Sequence, residues 1–555
     1  MASKEIFKHV LGEIPLTAEV YWQLRQQGRP LTKSFSLRRI QKRLPEWRLE
    51  VKAAVEGRSL ADRPMKRVLI FSTLRYWIEH TTLLSMALAG LGHQVTLAYL
   101  PYASSWYRPI SRFDLRRQNA YAHSILDKAS PPIHVISFLD VKPIANSAMP
   151  ADLITAIEEV ALRDTQYTLQ LEDVDRNSQK SASGRLYQLR LERNLFAAGS
   201  ALAWINSLQL DQRPEVLITP NGSILEMGAI YQVARHLNIP VVTYEFGEQR
   251  GRIWLAHNSE VMLQETDELW EAFKEYPLSG EQQEQVRALY ASRQNARLWE
   301  NFSRLWQGLP SQGGEKVRQD LGLDSRPVVL LPANVIGDSL TLGRQVFSDN
   351  MTEWLQRSVK FFAERPDVQL VVRIHPGERY ICGPSVAQVV QVVLPEIPEH
   401  IHLVQALDPI NTYDLIEIAG LGLVYTTTVG MEMAMSGVPV IVSGQTHYRG
   451  KGFTLDPDSW AHYHQILESS LSRIGKGRLS RGQLESAWHY AYRFFFDYPR
   501  PFPWHLLDFW EKLEIWPIAR VLSEEGQALF GDTFRNLIGE PRNLQARQPE
   551  AFEAL

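Results

Sequence analysis

At 555 residues, with 45% hydrophobic and 22% charged side chains, the chain is too long for one hydrophobic core and has the balance of a globular protein of two or more domains. Its 59 Lys/Arg against 62 Asp/Glu leave a net charge of −3, which removes any global electrostatic case for nucleic acid. The single cysteine, Cys382, excludes intramolecular disulfides and cysteine-cluster metal sites and fits a reducing compartment. With no run of roughly 18 uncharged apolar residues, the expectation is a cytoplasmic protein.

Residues 1–65 form the first unit. Through residue 67 they carry 15 Lys/Arg against 7 Asp/Glu and include SLRRIQKRLPEWRLEVK, a basic and partly amphipathic helical pattern. Two readings fit: a helical extension packed on the next domain, or an arm in peripheral contact with the anionic inner face of a membrane.

A β/α domain spans 66–310. KRVLIFSTLRYWIEHTTLLSMALAGLGHQ reads as a buried strand from Val68 to Phe71, a polar turn, and a helix ending near Gly90-Leu91-Gly92. A second strand begins at Gln94. After a helical stretch from about 151 to 210, strand EVLITP, turn Asn221-Gly222, helix ILEMGAIYQVARHL and strand PVVTYEF repeat the grammar. Within that stretch, Asp173-Val174-Asp175 has the spacing of a metal-binding carboxylate pair. It does not follow an apolar strand, so it reads as a solvated face, and His400/His402 and His462/His464 likewise lack a ligand set. No metal is expected.

Ser311 to Gly314 reads as a flexible joint, and 311–485 as a second β/α domain. Strand VVLLPAN, a helix from about Asp349 to Glu364, strand VQLVVRIHP, strand HIHLVQ and helix TYDLIEIAG lead to LVYTTTVGMEMAMSGVPVIVSGQTHYRGKG, Leu423 to Gly452. That run is expected to hold a strand, a small polar turn from Thr426 to Gly430, a helix carrying Glu432 in its first turn, and a strand ending at Val442. Backbone N–H groups at such a turn suit a phosphate, with Glu432 on neutral ribose or sugar hydroxyls; geometry and capping alone also explain Thr and Gly there. The fold class is therefore α/β, with two Rossmann-like doubly wound domains facing across a cleft, plus the helical N-terminal extension. Ligands of such sheets sit at the carboxyl ends of the strands.

The polar groups that chemistry would use cluster at those ends. Arg373 and His375 of RIHPGE would bind a phosphate or offset its charge as it departs. Asn334, Gly337 and Asp338 offer a close backbone approach, or an ordinary strand-to-helix loop. His447 to Gly452 either closes over a diphosphate or is a solvated basic loop. A base that takes a hydroxyl proton should come from the opposite domain: Glu79, His80, Glu226, Glu245 or Glu248, with Glu245 preferred because it closes a buried strand.

The order of RIHPGE, TYDLIEIAG, VYTTTVGMEMAMSGVPVIVSG and HYRGKGF resembles the capsule polysaccharide biosynthesis glycosyltransferase family, which includes transferases of the keto-sugar Kdo. The aromatic tail YAYRFFFDYPRPFP is similar to that family's C-terminal segment, so the likeness covers about residues 320–505. The resemblance implies a GT-B fold, a nucleotide-activated sugar as co-substrate with no other cofactor, and a polysaccharide or lipid-linked acceptor. It implies donor-binding roles for Arg373, His375, Thr427, Thr428, Gly430 and Glu432, and more weakly for Asn334, Gly337 and Asp338. Related His-Pro motifs occur in teichoic-acid glycerophosphotransferases. A non-hydrolysing sugar-nucleotide epimerase and a non-catalytic sugar-nucleotide-binding subunit are the other readings. The segment 486–555 is expected to cross back and brace the first domain, or else to present an aromatic patch to a membrane.

Overall fold

The computed structural model describes residues 8, 10–57, 65–102, 109–299, 302, 305, 307–380, 383–475, 477–542 and 544; Cys382 lies outside the described residues. Strands β1 (Arg67–Thr73), β2 (Gln94–Leu100), β3 (His134–Ser137), β4 (Val216–Pro220), β5 (Val241–Glu245) and β6 (Arg252–His257) belong to a first sheet. Strands β7 (Val328–Pro332), β8 (Gln369–Arg373), β9 (Ile401–Val404), β10 (Ala419–Val424) and β11 (Val440–Val442) form a second. The two-residue strand β12 (Arg500–Pro501) returns to the first.

The sheet orders are β12-β6-β5-β4-β1-β2-β3 and β11-β10-β7-β8-β9. The five parallel strands of each follow the same winding, so each sheet reverses direction once, between β1 and β4 and between β7 and β10. Those reversals are where a doubly wound sheet opens a crevice at its strand ends. Strand sequences explain the burial. In β7, Val328 and Leu330 join one core cluster while Val329 and Leu331 join another, so the strand is apolar on both faces and helices must cover both. β6 and β12 run antiparallel at the edge of the first sheet, an extension that the strand–turn–helix grammar does not announce.

Packing redraws the expected boundary at 310. Helices Asp267–Phe273 and Gly280–Gln294 bury Leu269, Trp270, Val286, Leu289 and Tyr290 in the core of the second sheet. The expected joint at 311–314 is pinned: the Asp414 carboxylate accepts from Ser311 Oγ and from the N–H groups of Gln312 and Gly313 (both 3.0 Å), and Glu417 accepts from Gly314 N–H at 3.0 Å.

In the arm, helix Arg38–Glu56 buries Ile40, Leu44, Trp47 and Val51, one stripe at helical spacing, in the core of the first domain. Burying four such side chains contributes roughly 1.5–3 kcal/mol each, enough to dock the helix. The C-terminal segment crosses between the domains. Tyr490, Phe494 and Phe495 pack in the second core, then Phe502, Trp504, Phe509, Trp516 and Phe530 in the first. Glu172 ties the domains directly: its carboxylate accepts from the N–H groups of Met351 (3.0 Å) and Thr352 (2.9 Å), capping helix Met351–Ala363 of the second domain.

Candidate active-site cleft

The two sets of strand ends enclose a cavity of about 520 Å3. Glu245 enters from the first domain, and Asn334, Asp338, His375, Thr427 and Thr428 from the second. The reversal between β7 and β10 is bridged by Asn334, whose Oδ1 accepts from Thr426 N–H at 3.2 Å.

Glu245 ends β5 half-buried. Its Oε1 accepts from Phe246 N–H at 3.0 Å and its Oε2 from Asn221 Nδ2 at 3.2 Å, while burial pushes its carboxyl above the ordinary range. A carboxylate held by neutral donors, with burial raising its proton affinity, has the properties of a general base. Opposite, Nδ1 of His375 accepts from Gly377 N–H at 2.9 Å, which assigns the neutral ring's proton to Nε2 and makes that nitrogen a donor. Arg373 reaches the cavity wall but donates to the carbonyls of Gln405 (2.5 Å) and Ile410 (3.2 Å), and burial lowers its pKa to about 10.

Glu432 also lines the cavity, yet its Oε1 already accepts from Arg293 (2.5 Å) and from the Tyr413 hydroxyl (3.0 Å). Arg293 also contacts Glu248 at 3.3 Å and stacks 4.3 Å over Phe495. Arg293 and Tyr413 escape a reading confined to strand-end motifs. The signal for Arg293 was present: Val286, Leu289, Tyr290 and Arg293 occupy one helical face, and a cation closing an apolar stripe points to a buried partner.

Other expected residues sit elsewhere. His80 is fully buried among Trp77, Tyr244, Phe246 and Phe502; Nδ1 meets Tyr244 Oη at 3.1 Å and Nε2 meets the Trp504 carbonyl at 3.3 Å. Burial takes its pKa down to about 3, and it does not face the cleft. Glu79 is buried one position earlier on the same helix, paired with Arg75 at 3.0 Å and pushed up to about 7 by burial, again away from the cleft lining. Gly430 is small for packing, because a Cβ there would crowd Tyr448 and lie 2.9 Å from Val424. Gly337, with φ +70°, leaves no room for a Cβ, which would meet the backbone of Gln170 and Leu171.

The HYRGKG loop supports the turn from behind. Tyr448 Oη donates to the Thr427 carbonyl at 2.6 Å, His447 stacks 3.7 Å from Phe494, Arg449 bonds the carbonyls of Val442 and Pro457, and Lys451 pairs with Asp267. The helix after the turn, Val429–Met435, begins earlier than expected, with Thr428 before it in helical conformation. Among the described residues no group of three or more His, Cys, Asp and Glu could hold a metal ion.

Residues 294–471 match the family model described as capsule polysaccharide biosynthesis protein. The matched segment holds β7 to β11 and thus His375, Thr427, Thr428 and Glu432, while Glu245 and Arg293 precede it. None of the curated proteins compared with the chain matches it. Among solved structures, the chain is similar to Thermosulfurimonas dismutans KpsC, beta Kdo 2,4 transferase, at 18% identity, over 52% of this chain and 82% of that one, with a TM-score of 0.33. It is also similar to a glycosyltransferase from Rickettsia africae (10% identity, 86% and 100% covered, TM-score 0.27). A UDP-GlcNAc 2-epimerase from Neisseria meningitidis follows at 12% identity, with 78% and 100% covered and a TM-score of 0.23.

Proposed function

We propose that the protein is a GT-B-type, metal-independent glycosyltransferase that moves a sugar from a nucleotide-activated donor to a capsule-type polysaccharide or glycolipid acceptor. One observation carries this reading: a single cavity joins Glu245, a carboxylate without a cationic partner among its hydrogen bonds, to His375 and the Thr427-Thr428 turn of a capsule-family domain. Glycosyl transfer needs a base for the acceptor hydroxyl on one side and stabilisation of the departing nucleotide phosphate on the other. Glu245 takes the hydroxyl proton. The donor phosphate is held by His375 Nε2–H and the threonine hydroxyls, with Arg373 supplying charge from the wall. Glu432, engaged by Arg293 and Tyr413, shapes the cleft floor.

Thermal shift against CMP-, UDP-, GDP- and CDP-linked sugars tests donor binding. Nucleotide release that requires added acceptor supports transfer, and interconversion of the sugar without acceptor supports an epimerase instead. Stabilisation by none of the four would remove the proposal.

The reading extends to a membrane-proximal acceptor. In the arm Val10, Ile14, Leu16, Val20 and Leu24 are exposed, and Arg25, Arg29, Lys33 and Arg38 are exposed beside them in sequence. Apolar and cationic groups together suit an anionic bilayer surface, and no described helix is long and apolar enough to cross a membrane. Co-flotation with vesicles containing phosphatidylglycerol, but not with pure phosphatidylcholine vesicles, is the expected result.

A further inference from the structure

β4 and β5 lie side by side and parallel, with Pro220 opposite Tyr244, so the next residues, Asn221 and Glu245, leave the sheet together. Asn221 N–H donates to the Tyr244 carbonyl at 2.8 Å, which holds the two strand ends in step. The chain then passes through the left-handed region at Asn221 (φ +59°), Gly222 (φ +82°) and Leu225 (φ +54°). Glycine enters that region freely, whereas asparagine and above all leucine do so at a cost in backbone strain.

That strained turn fixes the direction of one carboxamide. Asn221 Oδ1 accepts from Ser223 N–H at 3.1 Å and from Ser223 Oγ at 2.5 Å, and Asn221 and Ser223 are both buried. A backbone N–H can only donate, so the oxygen must face Ser223 and the NH2 must face Glu245; the reversed carboxamide would set donor against donor and carbonyl against carboxylate. Nδ2 accordingly donates to Glu245 Oε2 at 3.2 Å, while Phe246 N–H donates to Oε1 at 3.0 Å. Each oxygen is held by one neutral donor and keeps its other lone pair for an arriving hydroxyl.

Burial raises the Glu245 carboxyl, and these two donors act against the rise. The ionisable groups that feel its charge are the phenols of Tyr76, Tyr167 and Tyr244, all raised by burial and therefore neutral through the acid range. Asp338, Arg373 and His375 line the same cavity from the second domain and Glu248 from the first.

We propose that Asn221, locked by Ser223, is the positioning residue of the base: it aims the Glu245 carboxylate into the cleft and stabilises its anionic form through Nδ2–H. The inference rests on the transferase reading for the reaction and on this hydrogen-bond chain for the residue.

Carbon-13 NMR of the full chain labelled at the glutamate carboxyl carbon, with the Glu245 signal assigned by its loss in Glu245→Gln, reads the ionisation directly. Asn221→Gly removes the carboxamide and leaves a residue at ease at φ +59°. The Glu245 midpoint should then rise by about one pH unit, as for loss of one hydrogen bond to a charge. Ser223→Ala keeps Asn221 but removes one of the two bonds that fix its oxygen; it should raise the midpoint by less, and it carries the test if Asn221→Gly does not fold. A midpoint that is unmoved or lowered overturns the proposal. Acceptor-dependent nucleotide release supplies a second arm: Asn221→Gly should lower kcat about tenfold, and the acid limb of kcat/KM should move with the NMR midpoint. Added to Glu245→Gln it should cause no further loss, because it acts through that carboxylate. A full further loss in the double variant overturns the positioning role. No acceptor-dependent release from the wild type overturns the transferase reading instead, and the NMR midpoints still decide whether Asn221 sets Glu245.

Discussion

Arg293 lies 2.5 Å from Glu432, with the two side chains 2% and 5% exposed, and this pair joins helix Gly280–Gln294, which precedes the strands of the second sheet, to the helix of their Thr/Gly turn. Removing one partner of a buried pair leaves the other charge unsolvated, at a cost of about 3–5 kcal/mol, whereas removing both can be nearly neutral. Arg293→Met is therefore expected to lower the thermal midpoint sharply, because among the described residues the Glu432 carboxylate then keeps only the Tyr413 hydroxyl as a side-chain hydrogen-bond partner. The double variant Arg293→Met/Glu432→Gln should recover most of the loss. A double variant no more stable than Arg293→Met would mean that the pair is not the source of the effect.

That pair also shows where the sequence was legible. Buried strands with apolar runs and the Gly-containing turns between them announced both sheets, since local pattern and burial agree there. Glu432 was visible as a cleft residue, but its partner lies 139 positions earlier in a helix whose surroundings depend on tertiary packing. His80 failed for the same reason. Its position after a strand end suggested the cleft, while the returning C-terminal segment, which supplies Phe502, Trp504 and Phe509, seals it in an aromatic core.

Glu245→Gln keeps size but removes the basic oxygen, and with it one of the two hydrogen bonds that the carboxylate accepts, so turnover should fall by about 10²–10⁴ while nucleotide affinity holds. His375→Ala should do the reverse in binding, weakening nucleotide donor by about tenfold or more through loss of a donor to charged phosphate. In the wild type, activity should decline on the acid side as Glu245 takes up a proton. Because burial raises its pKa above 4.5, that decline should begin at higher pH than for an ordinary glutamate. A pH–rate profile of kcat/KM gives the acid limb, and the same limb in Glu245→Gln would assign it to another group.

His80 predicts a stability slope. Its folded pKa of about 3 lies below the ordinary 6.5, so between those values the unfolded chain binds the proton and the folded one does not. Stability present above pH 6.5 is then lost as pH falls, by up to ~1.4 kcal/mol per pH unit for one group. Burial lowers His257, His447, His489 and His505 as well, adding to the same sign. Urea unfolding between pH 7 and 5.5 should show the loss, reduced by Glu79, which burial raises to about 7 and which takes up a proton in the folded state over the same window. His80→Gln should be less stable at pH 7 yet have a slope shallower by up to one proton, and an unchanged slope would show that His80 does not contribute.

Gly337 tests how the domains meet. With φ +70° it occupies the left-handed region that favours glycine, and a Cβ would lie 2.7 Å from the Gln170 carbonyl carbon and the Leu171 N of the first domain. Both contacts are to backbone, which cannot rotate aside as a side chain would. Gly337→Ala should therefore push the two domains apart at this point instead of being absorbed locally, straining the nearby Glu172 cap on Met351 and Thr352. The variant is expected to show a larger radius of gyration by small-angle scattering and a weaker nucleotide-induced thermal shift, because His375 and Glu245 approach the ligand from opposite domains. Unaltered dimensions together with weakened nucleotide binding would instead assign Gly337 to direct contact with the donor.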